Sequence, residues 1–303
     1  MKRTEPLDMY QPTSVQEASR LLKQHGPGGR FLAGGTDLVI AMKEKGLVPK
    51  YVVDLKKIAG LAGIRENGDG SISIGALTTM RDVEVSPLIT QKYPFLAQSA
   101  AEVGSIQIRN RATVGGNMAN ATPSADVAPA LIALNATAKI AAGSGERSVL
   151  LEEFFRGPGQ TVMSGEEILT EVTIPKTSDR LVGEYIKFSP REMMDLAYVG
   201  VAVVYNLDAR DKTCTDVRIV LGAVAPTPIR AKKAEAALEG QALSEALAEK
   251  TGAIAAQESK PISDVRSTAE YRRAMVGAMT KRAILNAAAG PAKSWVERRD
   301  RRY

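Results

Sequence analysis

Two short turns hold the residues best suited to binding an anion. They read Ala33-Gly34-Gly35-Thr36-Asp37 and Thr113-Val114-Gly115-Gly116-Asn117, each an apolar approach followed by a Gly-Gly pair and small polar side chains. Paired glycines lack Cβ atoms, so the chain can bend sharply and bring successive N–H groups to bear on one anion. Thr36, Thr113 and Asn117 add side-chain donors. A pyrophosphate gripped between both turns fits that chemistry, while a plain tight turn explains either one taken singly. Neither has the G-x-G-x-x-G spacing of a dinucleotide fingerprint or the Gly-Lys-Ser/Thr ending of a phosphate loop.

Other chemistry is scarce. A single cysteine (Cys214) and a single histidine (His25) exclude an internal disulfide, an iron–sulfur cluster and a structural zinc. They also leave no obvious Ser–His or Cys–His nucleophile pair. A chain so poor in reactive side chains takes any chemistry it performs from a bound cofactor. The net charge is +6, from 40 basic and 34 acidic residues. Much of that excess falls in the last residues, where Lys293, Arg298, Arg299, Arg301 and Arg302 outnumber Glu297 and Asp300. Such a run reads as a solvated tail or a docking arm. With five Phe, eight Tyr and one Trp, a base-stacking nucleic-acid surface is not expected.

The elements that must position the two turns follow from patterning. At 303 residues, the chain is long enough for about two domains. Ser14 and Glu17 have the spacing of a capping box ahead of an amphipathic helix that stops at Gly26. Residues 30–33 and 51–55 read as strands, the first leading straight into the first glycine turn. Ser71 to Gly75 alternates with period two, predicting a half-exposed strand. Helices are expected around 78–85, 94–103 and 126–134, and a strand at 168–174 before Pro175. Polar residues at 175–181 suggest a boundary. Beyond it, 198–207 and 214–223 read as a hairpin, and the rest is helical, with Tyr271, Met275, Ala278, Met279 and Leu285 predicted to share one apolar face. The most apolar run, 197–205, is too short to span a bilayer, and Met1 to Tyr10 has no apolar targeting stretch, so a cytoplasmic protein without a transmembrane segment is expected.

Six blocks in order carry a resemblance along nearly the whole chain: LAGGTDL (32–38), IRNRATVGGN (108–117), ATPSAD (121–126), EEILTEVTIP (166–175), YIKFSPREMMDLAYVGVA (185–202) and DVRSTAEYRRAMVGAMTKRA (264–283). In them the chain resembles the FAD-binding medium subunit of the molybdenum hydroxylases, the group of xanthine dehydrogenase and aerobic carbon monoxide dehydrogenase. The resemblance implies an α+β fold, with a vanillyl-alcohol-oxidase-type FAD-binding domain of two subdomains over 1–177, split near 55–60. It implies a C-terminal flavoprotein-subunit domain over 178–290, with a three-stranded antiparallel sheet and helices, and leaves 291–303 as the basic tail.

The resemblance also implies a site. Leu32, Ala33, Gly34, Gly35, Thr36, Asp37 and Leu38, with Thr113, Val114, Gly115, Gly116 and Asn117, correspond to the segments that hold the FAD pyrophosphate and ribityl chain. Asp126 corresponds to a carboxylate bonded to the cofactor, though by its position alone it reads equally as a helix N-cap. Leu169 corresponds to an apolar contact of the isoalloxazine ring and Lys187 to a cation near its pyrimidine side; by pattern alone they are a core residue and a strand-edge lysine. Arg191 and Asp195 have the spacing of an ion pair near the flavin, and Arg109 and Arg111 are expected to support the second glycine turn. His25 matches no covalent attachment point, so non-covalent FAD is expected. The lone cysteine excludes the four-iron cluster that 4-hydroxybenzoyl-CoA reductases carry in this subunit.

The implied function is electron transfer, with no catalytic side chain and no metal site in this chain. A molybdopterin-binding large subunit would hydroxylate the substrate. A small subunit with 2Fe-2S clusters would feed electrons to FAD, which passes them to NAD, oxygen or a quinone. The implied assembly is a dimer of heterotrimers. The alternatives are a stand-alone FAD reductase on the same FAD-binding domain and, more remotely, a basic phosphate- or nucleic-acid-binding module.

Overall fold

The structure, a computed structural model, describes residues 7–143, 145–191 and 193–290; the basic tail therefore lies outside the described residues. The first layer runs β1 (Asp8–Tyr10), α1 (Val15–His25), β2 (Gly29–Leu32), α2 (Leu38–Glu44) and β3 (Tyr51–Asp54). Its strands form a parallel sheet in the order β1-β3-β2. Ser14 caps α1 through the Glu17 amide at 3.1 Å, but Glu17 turns back to the Thr13 amide at 2.9 Å rather than to the cap residue. The expected box is thus displaced by one residue. A reciprocal one occurs at Thr79 and Asp82 instead.

The second layer begins after a 3-10 turn at Leu55–Lys57 and comprises β4 (Ile64–Glu66), β5 (Ile72–Gly75), α3 (Met80–Val85), α4 (Pro87–Lys92), α5 (Pro94–Ala101), α6 (Ile106–Arg109), α7 (Val114–Asn120), α8 (Val127–Ala133), β6 (Thr137–Ala142), β7 (Gly145–Leu150), α9 (Leu151–Phe154), β8 (Phe155–Gly157), β9 (Gln160–Thr161) and β10 (Ile168–Ile174). Its main sheet is antiparallel, in the order β4-β5-β10-β6-β7. Strand β5 departs from the half-exposed reading, because all four of its residues are buried. The polar Ser73 is accommodated by hydrogen bonds with Asn67 and Glu171, each 2.9 Å long, which removes the cost of burying an unpaired hydroxyl.

The third layer holds β11 (Leu181–Phe188), β12 (Val199–Leu207), β13 (Cys214–Gly222), β14 (Ile229–Arg230), α10 (Lys232–Leu238), α11 (Glu245–Glu258) and α12 (Ala269–Ala288). The hairpin of β12 and β13 forms as expected. The sheet has four strands rather than three, since Ile229 and Arg230 pair with Leu221 and Val220. Arg230 is fixed there by Glu235 at 2.8 Å. The apolar face expected on α12 is also corrected. Tyr271 and Ala278 are exposed, and the buried stripe runs Arg272, Val276, Met279, Thr280, Ala283, Ile284 and Ala287. Close helix contact explains the shift, because a Cβ on Gly252 of α11 would lie 2.4 Å from the Gly277 carbonyl oxygen, so small residues occupy the seam. Arg272 stays inside by pairing with Asp264 at 2.6 Å and lying over the Tyr198 ring.

Candidate functional site

The two glycine turns meet. A cavity of about 600 Å³ opens between the first layer and the second, a size suited to a large organic cofactor. Every residue expected to touch the cofactor lines it except Leu32, Val114 and Lys187; the supporting Arg109, Arg111 and Arg191 stand off the lining. Leu32 lies beneath the first turn, where a Cβ on Gly35 would come within 3.1 Å of its Cδ1. Val114 is fully buried in the main core, and Lys187 stands behind Asp126.

The glycines have separate tasks. A Cβ on Gly34 would sit 1.9 Å from the Arg111 carbonyl oxygen, and one on Gly115 would sit 2.6 Å from the Ala76 Cβ. Both glycines therefore serve chain-to-chain contact. Gly35 holds φ at +81°, where an L side chain is strained. Only Gly116 looks across the gap, with a Cβ position 3.8 Å from that of Ala33.

The amides also divide. In the second turn the four amides from Val114 to Asn117 are occupied within the protein: Val114 donates to Thr78 O at 3.0 Å, Gly115 to Ala76 O at 2.7 Å, Asn117 to Thr113 O at 3.0 Å, and Gly116 to the Thr113 hydroxyl at 3.1 Å. In the first turn, the amides of Gly34 through Leu38 make no hydrogen bond among the described residues. An anion cradle of backbone N–H groups therefore exists on the first turn alone, and the second contributes side chains. Asn117 Oδ1 is buried and finds no partner among the described residues. Such an orphan is costly unless a ligand completes it.

The rest of the wall comes from distant segments. Strand β10 supplies Ile168 and Leu169 at a point where its pairing with β6 slips by one residue, a bulge that re-aims side chains. Glu167 lines the cavity and is held by Arg147 through bonds of 2.7 and 2.9 Å, which lower its carboxyl to about 2. Val103 and Ile108 line another side. Their loop is braced by Arg109, which donates to buried Glu84 at 2.8 Å and to Val103 O at 3.3 Å; Arg81 also pairs with Glu84, at 3.0 Å. Arg111 is exposed and contributes its carbonyl to the contact with Gly34. Asp195 and Leu196 reach the cavity from the loop after β11, and Arg191 pairs with Asp195 at 3.5 Å. His25 is not among the lining residues and stacks on Tyr10 with ring centroids 4.8 Å apart.

Asp126 precedes α8 but makes no capping bond. Its carboxylate lines the cavity and accepts from the Tyr185 hydroxyl at 2.9 Å and from Lys187 Nζ at 3.0 Å. Burial pushes its pKa up to about 6, against the opposing pull of Lys187. Tyr185 carried no site signal in the sequence beyond lying inside a matching block.

No group of three or more His, Cys, Asp or Glu among the described residues could hold a metal ion. No helix among them is long and apolar enough to cross a membrane.

Comparison with known proteins agrees along most of the length. Residues 4–177 match the family of the FAD binding domain in molybdopterin dehydrogenase, and residues 184–287 match that of the CO dehydrogenase flavoprotein C-terminal domain. The carbon monoxide dehydrogenase medium chain of Hydrogenophaga pseudoflava is 34% identical over 281 residues, covering 93% of this chain and 96% of that one. A putative xanthine dehydrogenase FAD-binding subunit of Escherichia coli K12 is 31% identical over 281 residues, covering 92% and 95%. Among solved structures, the Hydrogenophaga carbon monoxide dehydrogenase lacking the Mo-pyranopterin moiety of its molybdenum cofactor superposes with a TM-score of 0.90 at 34% identity, covering 95% of this chain and 99% of that one.

Proposed function

Because the chain belongs to the FAD-binding subunits of the molybdopterin dehydrogenases, we propose that it is the FAD-carrying electron-transfer subunit of a molybdenum hydroxylase complex. The observation that carries this reading is the cavity between the glycine turns, with unspent amides at Gly34–Leu38 on one wall and the unpartnered Asn117 Oδ1 on the other. These residues suit a dinucleotide cofactor: a diphosphate is an acceptor for a run of N–H groups, and Asn117 Oδ1 is an acceptor for a cofactor hydroxyl or amide.

FAD, when bound, accepts electrons singly and releases them in pairs. The protein's own residues bind and position it. The first turn offers N–H groups to the diphosphate, and Thr113 and Asn117 address the polar chain beside it. Leu169 offers an apolar face to the ring, and Asp126 fixes a polar edge. Lys187 acts on the cofactor through Asp126 rather than by lining the cavity. No side chain serves as nucleophile, and no covalent attachment is needed. The FAD-binding domain spans 1–177, with its subdomains meeting near 55–60. The C-terminal domain spans 178–290. The chain is cytoplasmic: a small subunit with 2Fe-2S clusters delivers electrons to it, and a large molybdopterin subunit takes them from a substrate that it hydroxylates with oxygen from water.

The partners are tested by purifying the tagged chain from its native host and assaying the complex for molybdenum, iron and acid-labile sulfide. All three accompanying FAD, together with two further subunits, supports the reading. A chain that purifies alone with FAD and oxidises NADH is a stand-alone reductase and overturns it.

A further inference from the structure

The Asp126 carboxylate faces the cavity, yet the groups that hold it come from another layer of the fold. Tyr185 and Lys187 are two residues apart on β11 and so share one face of the C-terminal sheet. The Tyr185 ring is buried at 1% exposure, and its hydroxyl has 2.9 Å to Asp126 Oδ1. Lys187 takes Asp126 Oδ2 at 3.0 Å and the Glu102 carbonyl at 2.9 Å.

The neighbouring strand is shaped for this arrangement. Gly200 of β12 lies opposite Lys187 in register, and a Cβ there would press to 3.2 Å from the Tyr185 hydroxyl. Gly222 of β13 pairs with Gly200, and a Cβ on it would meet Pro129 of α8 at 2.8 Å. These glycines let α8 and its Asp126 settle on the sheet with the tyrosine hydroxyl beneath the carboxylate.

We propose that Tyr185 is a positioning residue of the cofactor site: its hydroxyl, delivered from the C-terminal sheet, fixes the Asp126 carboxylate against the cavity and keeps it ionised beside Lys187. This rests on the FAD reading and extends it, since the C-terminal layer then sets the charge of the cavity wall. With Asp126 ionised, the Asp126–Lys187 pair is neutral. When Asp126 takes a proton, the lysine charge is uncompensated, and the wall becomes cationic. The hydroxyl bond favours the ionised form, because a buried carboxylate oxygen deprived of a donor binds a proton more tightly. Among the described residues, Glu102, at the C-terminal end of α5, also acts on Asp126 and favours the protonated form. Arg218 of β13 meets the opposite end of α8, at the Ala133 carbonyl. Arg191 and Asp195 lie on the loop at the cavity mouth.

The test is the dissociation constant of FAD, measured by equilibrium titration of the apoprotein from pH 5 to pH 8. In the unsubstituted chain the profile bends near pH 6, where Asp126 titrates. Tyr185→Phe keeps the ring and removes the donor, so the bend moves up by about one pH unit, a tenfold gain in the proton affinity of Asp126. Gly200→Ala leaves the tyrosine in place but crowds its hydroxyl, and moves the bend in the same direction by less; it carries the test should the phenylalanine variant not fold. Asp126→Asn abolishes the bend, and adding Tyr185→Phe to it changes nothing further in the profile. A bend that stays in place in both Tyr185→Phe and Gly200→Ala, or that survives Asp126→Asn, overturns the proposal while leaving FAD binding intact. An unsubstituted chain that binds no FAD overturns the cofactor reading itself.

Discussion

Gly34→Ala isolates the meeting of the two turns from every other variable. Gly34 has no positive φ, so alanine adds no backbone strain of the left-handed kind. The added carbon would lie 1.9 Å from the Arg111 carbonyl oxygen, roughly 1.5 Å short of the 3.4 Å at which contact becomes ordinary. The obstacle is backbone on both sides, so no side chain can swing away; the turns must part by about that distance. Overpacking of this kind costs about 1–3 kcal/mol. Parting the turns also withdraws the amides of Gly34–Leu38 from any ligand held by Thr113 and Asn117. Losing two charge-assisted hydrogen bonds at about 1.5–3 kcal/mol each lowers FAD affinity at least about a hundredfold. The control is Gly165→Ala, where an added Cβ meets nothing within 4 Å and φ is not positive. The assays are thermal unfolding of the apoproteins and FAD titration. The expected result is a loss of both stability and affinity in Gly34→Ala, with the control within about 0.5 kcal/mol of the parent. Equal stability and equal FAD affinity in Gly34→Ala and Gly165→Ala would refute the contact between the turns.

Gly116→Val places branches where a Cβ already lies 2.9 Å from the Thr113 hydroxyl and 3.8 Å from Ala33; it removes the cap on α7, worth about 1 kcal/mol, and fills the gap, so FAD content after purification falls to near zero. Arg147→Met frees Glu167, whose carboxyl Arg147 holds down at about 2. A depressed carboxyl stabilises the fold above its unfolded value near 4.5 and loses that contribution as pH falls toward 2. The variant is therefore less stable than the parent at pH 7, and urea midpoints converge as the pH is lowered from 4.5 toward 2; a difference that persists undiminished at low pH contradicts this pairing. Cys214 is fully buried, and burial pushes its thiol up to about 11. It should resist iodoacetamide at pH 8 in the folded chain and react at once in 6 M guanidinium, as read by mass spectrometry.

The parts of this site that were legible in the sequence are those whose signal is local. The Gly-Gly turns announce themselves because the glycines sit beside each other in the chain. Strand β10 was readable from its alternation, and the hairpin of β12 and β13 from the polar break between its arms. What escaped depended on partners far along the chain. Nothing near Gly115 reveals that its amide is consumed by Ala76, so both turns looked equally able to bind an anion, whereas only the first keeps its amides available. Asp126 read as a helix cap or a cofactor ligand. Its actual partners, Tyr185 and Lys187, lie 59 and 61 residues away on another sheet. The α12 face departs in part for a related reason: Met275, Met279 and Leu285 meet the core as periodicity predicts, whereas Tyr271 and Ala278 are exposed, and the close seam at Gly252 and Gly277 brings small residues and a paired arginine inside. Strand β5 looked half-exposed because Ser71 and Ser73 are polar; they are buried and satisfied by Asp69, Asn67 and Glu171.

The central claim, that the cavity between the turns is an FAD site, is tested most directly by acid-precipitating the purified chain and measuring the released chromophore against the protein precipitated. The account predicts a yellow supernatant whose flavin runs as FAD and amounts to about one per chain, with none remaining bound to the pellet. A colourless supernatant, or a chain that stays colourless after incubation with excess FAD, contradicts it.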